Sequence, residues 1–242
     1  MKTFVNSLVL YIVLTGHGFA QTKEKTIGSD LSSYQLKGLL GADRTTKSID
    51  DYKGKLVILD FWFTACSTCI AAMPRMRELQ DKYKDRLQII FVNDLAKDDE
   101  TAVNKIRQNF RKQTGLPLTI PFLLKDSVLT DEYFPHQGDP FEVWIDQTGK
   151  LIATTGGDQV TEENIIKALK GVKMDVSMRK DLLTFNRDEP LFINGNGENK
   201  EGMIYHSVIA KFTDGLVGSE GFVGDQDSIR GFTAINTRLI DL

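Results

Sequence analysis

Cysteine is the scarcest informative residue in this sequence of 242 residues, with only Cys66 and Cys69. A secreted protein that used disulfides as staples would carry more of them, at wider spacings. A bridge across three residues closes almost no loop and stabilises a fold little, so an inert structural pair explains little. Histidine is nearly as rare. Beyond the N-terminal His17 only His136 and His206 remain, far apart in sequence. A zinc site on Cys66 and Cys69 would need a second ligand pair, which the pattern does not offer. There is no basic surplus either: the net charge is −3, which argues against a nucleic-acid partner. Gly215, Gly218, Gly221 and Gly224 recur at period three but are too few for a collagen segment. No Gly-Lys-Ser/Thr follows them, which excludes a phosphate loop there. Asp225 and Asp227 match no EF-hand spacing. Long apolar runs are also missing. The best, Leu8–Leu14, falls well short of the roughly 20 residues that cross a bilayer.

That short run has a different meaning. Lys2 supplies a positive start, Phe4 and Leu8–Leu14 an apolar middle, and Gly18-Phe19-Ala20 small residues before a cut at Gln21. This predicts a cleaved signal peptide over 1–20 and an exported, periplasmic protein, rather than one held by a membrane anchor. No cysteine follows the run, so lipid attachment is not expected. The whole chain is 41% hydrophobic and 26% charged, as in soluble globular proteins.

Residues 21–172 read as one α/β domain. Tyr34–Leu36 is strand-like and Ser48–Tyr52 forms a short helical turn. Leu56–Phe63 has the length and continuous apolarity of a strand buried on both faces. Ile70, Met73, Met76, Leu79 and Tyr83 then recur at helical spacing, with Pro74 expected to kink the helix. Leu87–Val92 is a second buried strand. Asp98, Asp99 and Glu100 suit the start of a second helix, with Val103, Ile106 and Phe110 inward. Leu118–Leu124 reads as a strand interrupted by Pro121, and 127–133 as a short helix. Phe141, Val143 and Ile145 alternate with Glu142 and Trp144. Asp146–Gly149 turns the chain into a hairpin partner at 150–155. Thr161 caps a last helix that Gly171 ends. Parallel strands come first and an antiparallel hairpin last, a central mixed sheet flanked by helices. Residues 173–242 change character and read as a β-rich extension, a candidate for an incomplete domain. Strand candidates there are 191–193, 204–212 and 232–235.

Cys66-Ser-Thr-Cys69 lies where a buried strand hands over to a helix. At a helix N-terminus Cys66 faces unpaired N–H groups and the positive end of the dipole, which lower a thiol pKa. Cys69, one turn on and expected to be more buried, can resolve a mixed disulfide formed at Cys66. A CxxC in this βα context reads as a redox pair.

Asp60-Phe-Trp-Phe-Thr-Ala-Cys66-Ser-Thr-Cys69 followed by Pro74 resembles the active-site segment of the thioredoxin superfamily, nearest to the exported TlpA/ResA-like reductases. Gly138-Asp-Pro-Phe-Glu-Val-Trp-Ile-Asp-Gln-Thr-Gly149 resembles that family's cis-proline strand and hairpin. The resemblance covers roughly 30–171. It implies a thioredoxin-like fold and disulfide reduction without a bound cofactor beyond the cysteine pair. It also implies that Pro140 is a cis-proline orienting substrate, that Asp60 is a buried acid taking the Cys69 proton, and that Trp62 packs beside the site. Implied partners are exported proteins with disulfides, apo-cytochrome c among them, and an electron donor at the membrane. Ala65 replaces the tryptophan common before the first cysteine, Ser67-Thr68 replaces Gly-Pro, and Asp139 precedes the expected cis-proline. An acid there would raise a neighbouring thiol pKa and disfavour acidic substrates.

Three other functions compete with reduction. An oxidase or isomerase would use the same residues at a less negative potential. A peroxidase would need Thr three residues before its cysteine, whereas Thr64 stands two before Cys66. A non-catalytic binding module would use the domain as a scaffold for the extension.

Overall fold

The structure is a computed structural model that describes residues 24–43, 45–186, 196, 219–225 and 228–235, the last two segments as backbone only. The expected signal peptide and the strand candidates at 191–193 and 204–212 lie outside the described residues. No described helix is long and apolar enough to cross a membrane. The chain divides into two compact units, Met1–Leu183 and Thr184–Leu242.

The first unit is built on a five-stranded mixed sheet. β1 (Gln35–Lys37) and β2 (Thr46–Ser48) form a small antiparallel pair. A 3-10 turn over Ile49–Tyr52 follows, held by a reciprocal capping box between Ser48 and Asp51. β3 (Leu56–Trp62), α1 (Ser67–Lys82), β4 (Leu87–Asn93), α2 (Glu100–Thr114) and β5 (Phe122–Leu124) give three parallel strands. β6 (Phe141–Ile145) and β7 (Leu151–Gly156) add the antiparallel hairpin, and α3 (Glu162–Leu169) closes the unit. The order across the sheet is β5-β4-β3-β6-β7. β3 and β4 are central and carry long β-branched and aromatic runs, as strands buried on both faces do.

Side chains alternate between two cores. Leu56, Ile58 and Trp62 of β3 join Met73, Met76, Val103, Phe110 and Ile165 from the three α-helices. Both crossovers, β3 to β4 and β4 to β5, run the same way across the sheet, and right-handed connections then place α1 and α2 on one face. Val57, Leu59 and Phe61 point the other way, towards Leu36, Leu39, Ile49, Leu129 and Phe134. That second face is covered by the small hairpin, the 3-10 turn and a π-helical segment, Val128–Tyr133.

Some elements differ from the sequence reading. The third parallel strand starts only at Phe122, after Pro121, which has no N–H to give the ladder. β6 is buried along its whole length. The alternation of Glu142 and Trp144 therefore does not mark a solvent face: β6 lies between β3 and β7, and both its faces are covered. Chain beyond α3 also stays with the first unit. Arg179 N–H donates to Thr154 O at 2.7 Å, and Thr154 Oγ1 donates to Arg179 O at 2.8 Å.

In the second unit, β8 (Ser219–Asp225) pairs antiparallel with β9 (Ser228–Ile235). The strand expected at 232–235 lies inside β9.

The β6–β7 turn is fixed by Asp146, whose Oδ1 accepts the N–H groups of Thr148 and Lys150 at 2.8 and 3.0 Å. Gly149 holds φ at +91°, and a Cβ there would stand 2.8 Å from Ser32 Cβ and 3.1 Å from Ser32 Cα. Gly149→Ala should therefore lower unfolding free energy by roughly 2 kcal/mol, from left-handed strain and backbone crowding together. Urea denaturation of the two proteins checks this.

Candidate active site

β3 ends at Trp62, and Cys66 N–H closes a turn onto Phe63 O at 3.0 Å. Cys66 is the N-cap of α1: its Sγ accepts the Cys69 N–H at 3.2 Å, and Thr68 Oγ1 lies 3.4 Å from the same sulfur. A donor amide on that sulfur favours negative charge there. Cys66 and Cys69 form a disulfide with Cα atoms 5.3 Å apart. The two are almost equally buried in this oxidised form, 5% and 4% exposed.

The turn before the cysteines is pinned by Asp98. Its carboxylate accepts from Thr64 N–H and Thr64 Oγ1, both at 2.7 Å, and from Asn93 Nδ2 at 2.9 Å. Burial alone would push the Asp98 pKa up, but these hydrogen bonds outweigh it and hold it below the usual carboxylate range. The sequence reading assigned Asp98 only to a helix start.

Two carboxyl groups lie beneath the site. Asp60 on β3 and Glu142 on β6 are directly opposed in the sheet, so both side chains project to the face that α1 covers. Both are buried, Glu142 completely, and neither Glu142 oxygen has a hydrogen-bond partner among the described residues. Burial pushes both pKa values well up; Asp139 adds to this for Asp60, and Asp60 adds to it for Glu142. Arg75 on α1 opposes the shift in both and donates to Gly157 O at 2.8 Å. Two neighbouring buried carboxylates cannot both be charged cheaply, so each disfavours ionisation of the other.

The Asp139–Pro140 bond is cis. Pro140 stands one step beyond the Phe61–Phe141 register pair, at the sheet edge where β3 runs out towards Cys66. Arg179 holds this loop through Gly138 O and Pro140 O, while bonding Asp181. His136 stacks on Phe141 with ring centres 4.6 Å apart. Its Nε2 approaches Asp139 Oδ1 at 3.1 Å and Asp94 Oδ2 at 3.3 Å. Burial opposes its charge, but the bonds to Asp139, Asp94 and Phe134 O outweigh it and raise its pKa to about 9. Asp139 is itself pushed up, by burial first and by Asp94, against the pull of His136.

Of the residues expected in the site, Cys66, Cys69, Asp60, Asp139 and Pro140 thus gather at the one end of the sheet. Trp62 is wholly buried against Phe91 and Phe122, with ring centres 6.3 and 5.6 Å away; it belongs to the core and offers no surface to a substrate. Glu142, Asp98, Asp94, His136, Arg75 and Arg179 were not singled out from sequence. A charged residue in an otherwise apolar run was the available signal for Glu142.

Residues 26–169 match the Redoxin family. The chain belongs to that family. The thiol-disulfide oxidoreductase ResA of Bacillus cereus is 30% identical over 175 residues, covering 68% of this chain and 94% of the relative. The thioredoxin-like protein YneN of Bacillus subtilis is 33% identical over 132 residues, covering 52% of this chain and 72% of the relative. A solved structure of the exposed lipoprotein thioredoxin Etrx1 from Streptococcus pneumoniae is 29% identical, with a TM-score of 0.44, and covers 57% of this chain and 98% of that one. This redoxin is a TlpA/ResA-like member of the thioredoxin superfamily. Its Cys66–Cys69 pair makes it a thiol–disulfide oxidoreductase.

The acid pair sets a pH signature for this redoxin. A carboxyl whose folded pKa is raised contributes stability below its unfolded pKa and loses it as pH rises towards the folded one. Gln keeps the shape of Glu142 without the charge. Glu142→Gln should therefore gain stability relative to the native chain as pH rises from 5 to 8, by on the order of 1 kcal/mol or more. Chemical denaturation at both pH values checks it; an equal difference at both would show that Glu142 ionises as freely folded as unfolded.

Proposed function

We propose that this redoxin reduces disulfides of exported proteins. The observation that carries the reading is the Cys66 sulfur at the N-cap of α1, accepting an amide N–H. In the reduced enzyme the Cys66 thiolate attacks one sulfur of a substrate disulfide. The Cys66–substrate bond forms, the substrate S–S bond breaks, and one substrate sulfur leaves as thiolate. Cys69 then gives up its proton, attacks Cys66 Sγ, and releases the second substrate thiol. Two electrons pass to the substrate and the Cys66–Cys69 disulfide is left.

Asp60, when ionised, is the acceptor for the Cys69 proton. Its burial on the α1 face of the strand leading to Cys66 supports this, because a raised pKa brings the carboxyl towards working pH. Pro140 and Asp139 receive an extended substrate segment at the open end of the sheet. The pair carries its own electrons, so exchange calls on no further bound cofactor. A dithiol donor at the membrane must re-reduce it after each turnover. The relatives named ResA support this class of activity, and apo-cytochrome c is one exported substrate the likeness implies. We assign residues 1–20 to a cleaved signal peptide and export to the periplasm; 21–172 hold the exchange domain, and 173–242 are an extension.

The test is the equilibrium potential of Cys66–Cys69 against glutathione or dithiothreitol. A value near or below about −270 mV, like thioredoxin, supports reduction; one near about −120 mV would make the chain a disulfide donor. Cys66→Ser should abolish reduction of a model disulfide substrate. Cys69→Ser should accumulate the mixed disulfide, detectable by mass spectrometry. Loss of neither activity nor redox titration on Cys66→Ser would exclude the mechanism.

A further inference from the structure

His136 is held in one orientation from three sides. Its ring stacks on Phe141 at 9° between planes and meets Phe61 edge-on at 5.0 Å. Its Nδ1 lies 2.7 Å from Phe134 O. A carbonyl accepts only, so Nδ1 carries a proton and donates it; a metal ion would take the place of the second ring proton, at Nε2. Nε2 faces two more acceptors, Asp139 Oδ1 at 3.1 Å and Asp94 Oδ2 at 3.3 Å. One ligand atom from each of the three residues lies within 4.8 Å of the others. The side chains of His136 and Asp139 are 2% exposed and that of Asp94 is 18% exposed.

Three electron-pair donors converging on one buried point require a cation between them. A proton on Nε2 supplies one, but a single N–H cannot point squarely at both carboxylates. A divalent ion would balance the two carboxylates and keep the ring neutral. The two spacings at Nε2, 3.1 and 3.3 Å, suit it: a tetrahedral ion bound at about 2.0–2.1 Å sets its ligand atoms roughly 3.3 Å apart. The Nδ1–H bond to a backbone carbonyl is also the outer-shell contact that orients metal-bound histidines.

We propose that Asp94, His136 and Asp139 bind one divalent transition-metal ion of the zinc class, through His136 Nε2 and one oxygen from each aspartate. Asp94 is the most exposed of the three side chains. The mixed nitrogen and oxygen donors suit zinc better than calcium or magnesium, which take oxygen-rich sites. The ion ties the end of β4, through Asp94, to the residue before Pro140. The triad includes no cysteine, so metal binding can be read without the exchange reaction.

The experiment is calorimetric titration of zinc chloride into the full-length chain with Cys66 and Cys69 oxidised, so that neither can bind metal. One ion per chain is expected. Asp94→Asn and His136→Gln should each weaken binding about 10-fold or more, and zinc should raise the melting temperature of the native chain but not of Asp94→Asn. Should His136→Gln fail to fold, Asp94→Asn, the most exposed ligand, decides. No heat at millimolar zinc would overturn the proposal, with nitrogen-15 spectra showing both ring nitrogens of His136 protonated. So would zinc binding undiminished in Asp94→Asn, or tighter binding of calcium or magnesium than of zinc.

Discussion

The antiparallel pairing of β3 with β6 is the constraint on which the site depends. β3 delivers Cys66 to the start of α1, and β6 begins immediately after the cis-proline. Only the register that sets Phe61 against Phe141 brings these two chain segments to the same edge. The same register sets Asp60 against Glu142. A slip by one residue would move every β6 side chain to the other face, taking Glu142 from beneath α1 into the aromatic core around Phe61. The apolar neighbours Val143 and Ile145, which fill that second core, resist the slip.

Much of this was legible in the sequence because it rests on local patterns. The buried run of β3, the helical spacing after Cys69, the Asp-Gln-Thr-Gly turn and the CxxC position all carry their meaning within a few residues. The fold class and the gathering of Cys66, Asp60 and Pro140 followed from those patterns and the family likeness. What was not legible depends on pairing across long separations. Glu142 reads as the polar half of an alternating strand, and only its pairing with Asp60 on one side and β7 on the other makes it buried. Asp98 reads as a helix-start acid, yet its bonds reach back to Thr64. His136 is isolated in sequence, and its partner Asp94 belongs to the far end of β4.

The electrostatics of the region follow from burying acids against few bases. Asp60 and Glu142 lie on one face with Arg75 opposing their neutral forms, and Asp139 lies near His136, which with Arg179 opposes its own. Burying carboxyl groups costs stability unless they are paired or neutral. Asp98 is satisfied by donors and its pKa is held low, whereas Glu142 has no donor among the described residues and its pKa is pushed up. The same residue class thus fills opposite roles within one end of the sheet, set by the presence or absence of nearby N–H groups.

Arg179 bears on where the exchange domain can be cut. Composition changes near residue 172, just after α3, and a truncation there would look conservative. It would remove the guanidinium that caps the carbonyls of Gly138 and Pro140, and with it the short run of chain that bonds Thr154 along the outer side of β7. A minimal catalytic fragment therefore has to extend through Leu183. One made shorter would keep both cysteines and every strand of the sheet, and still lose the clamp on its proline loop.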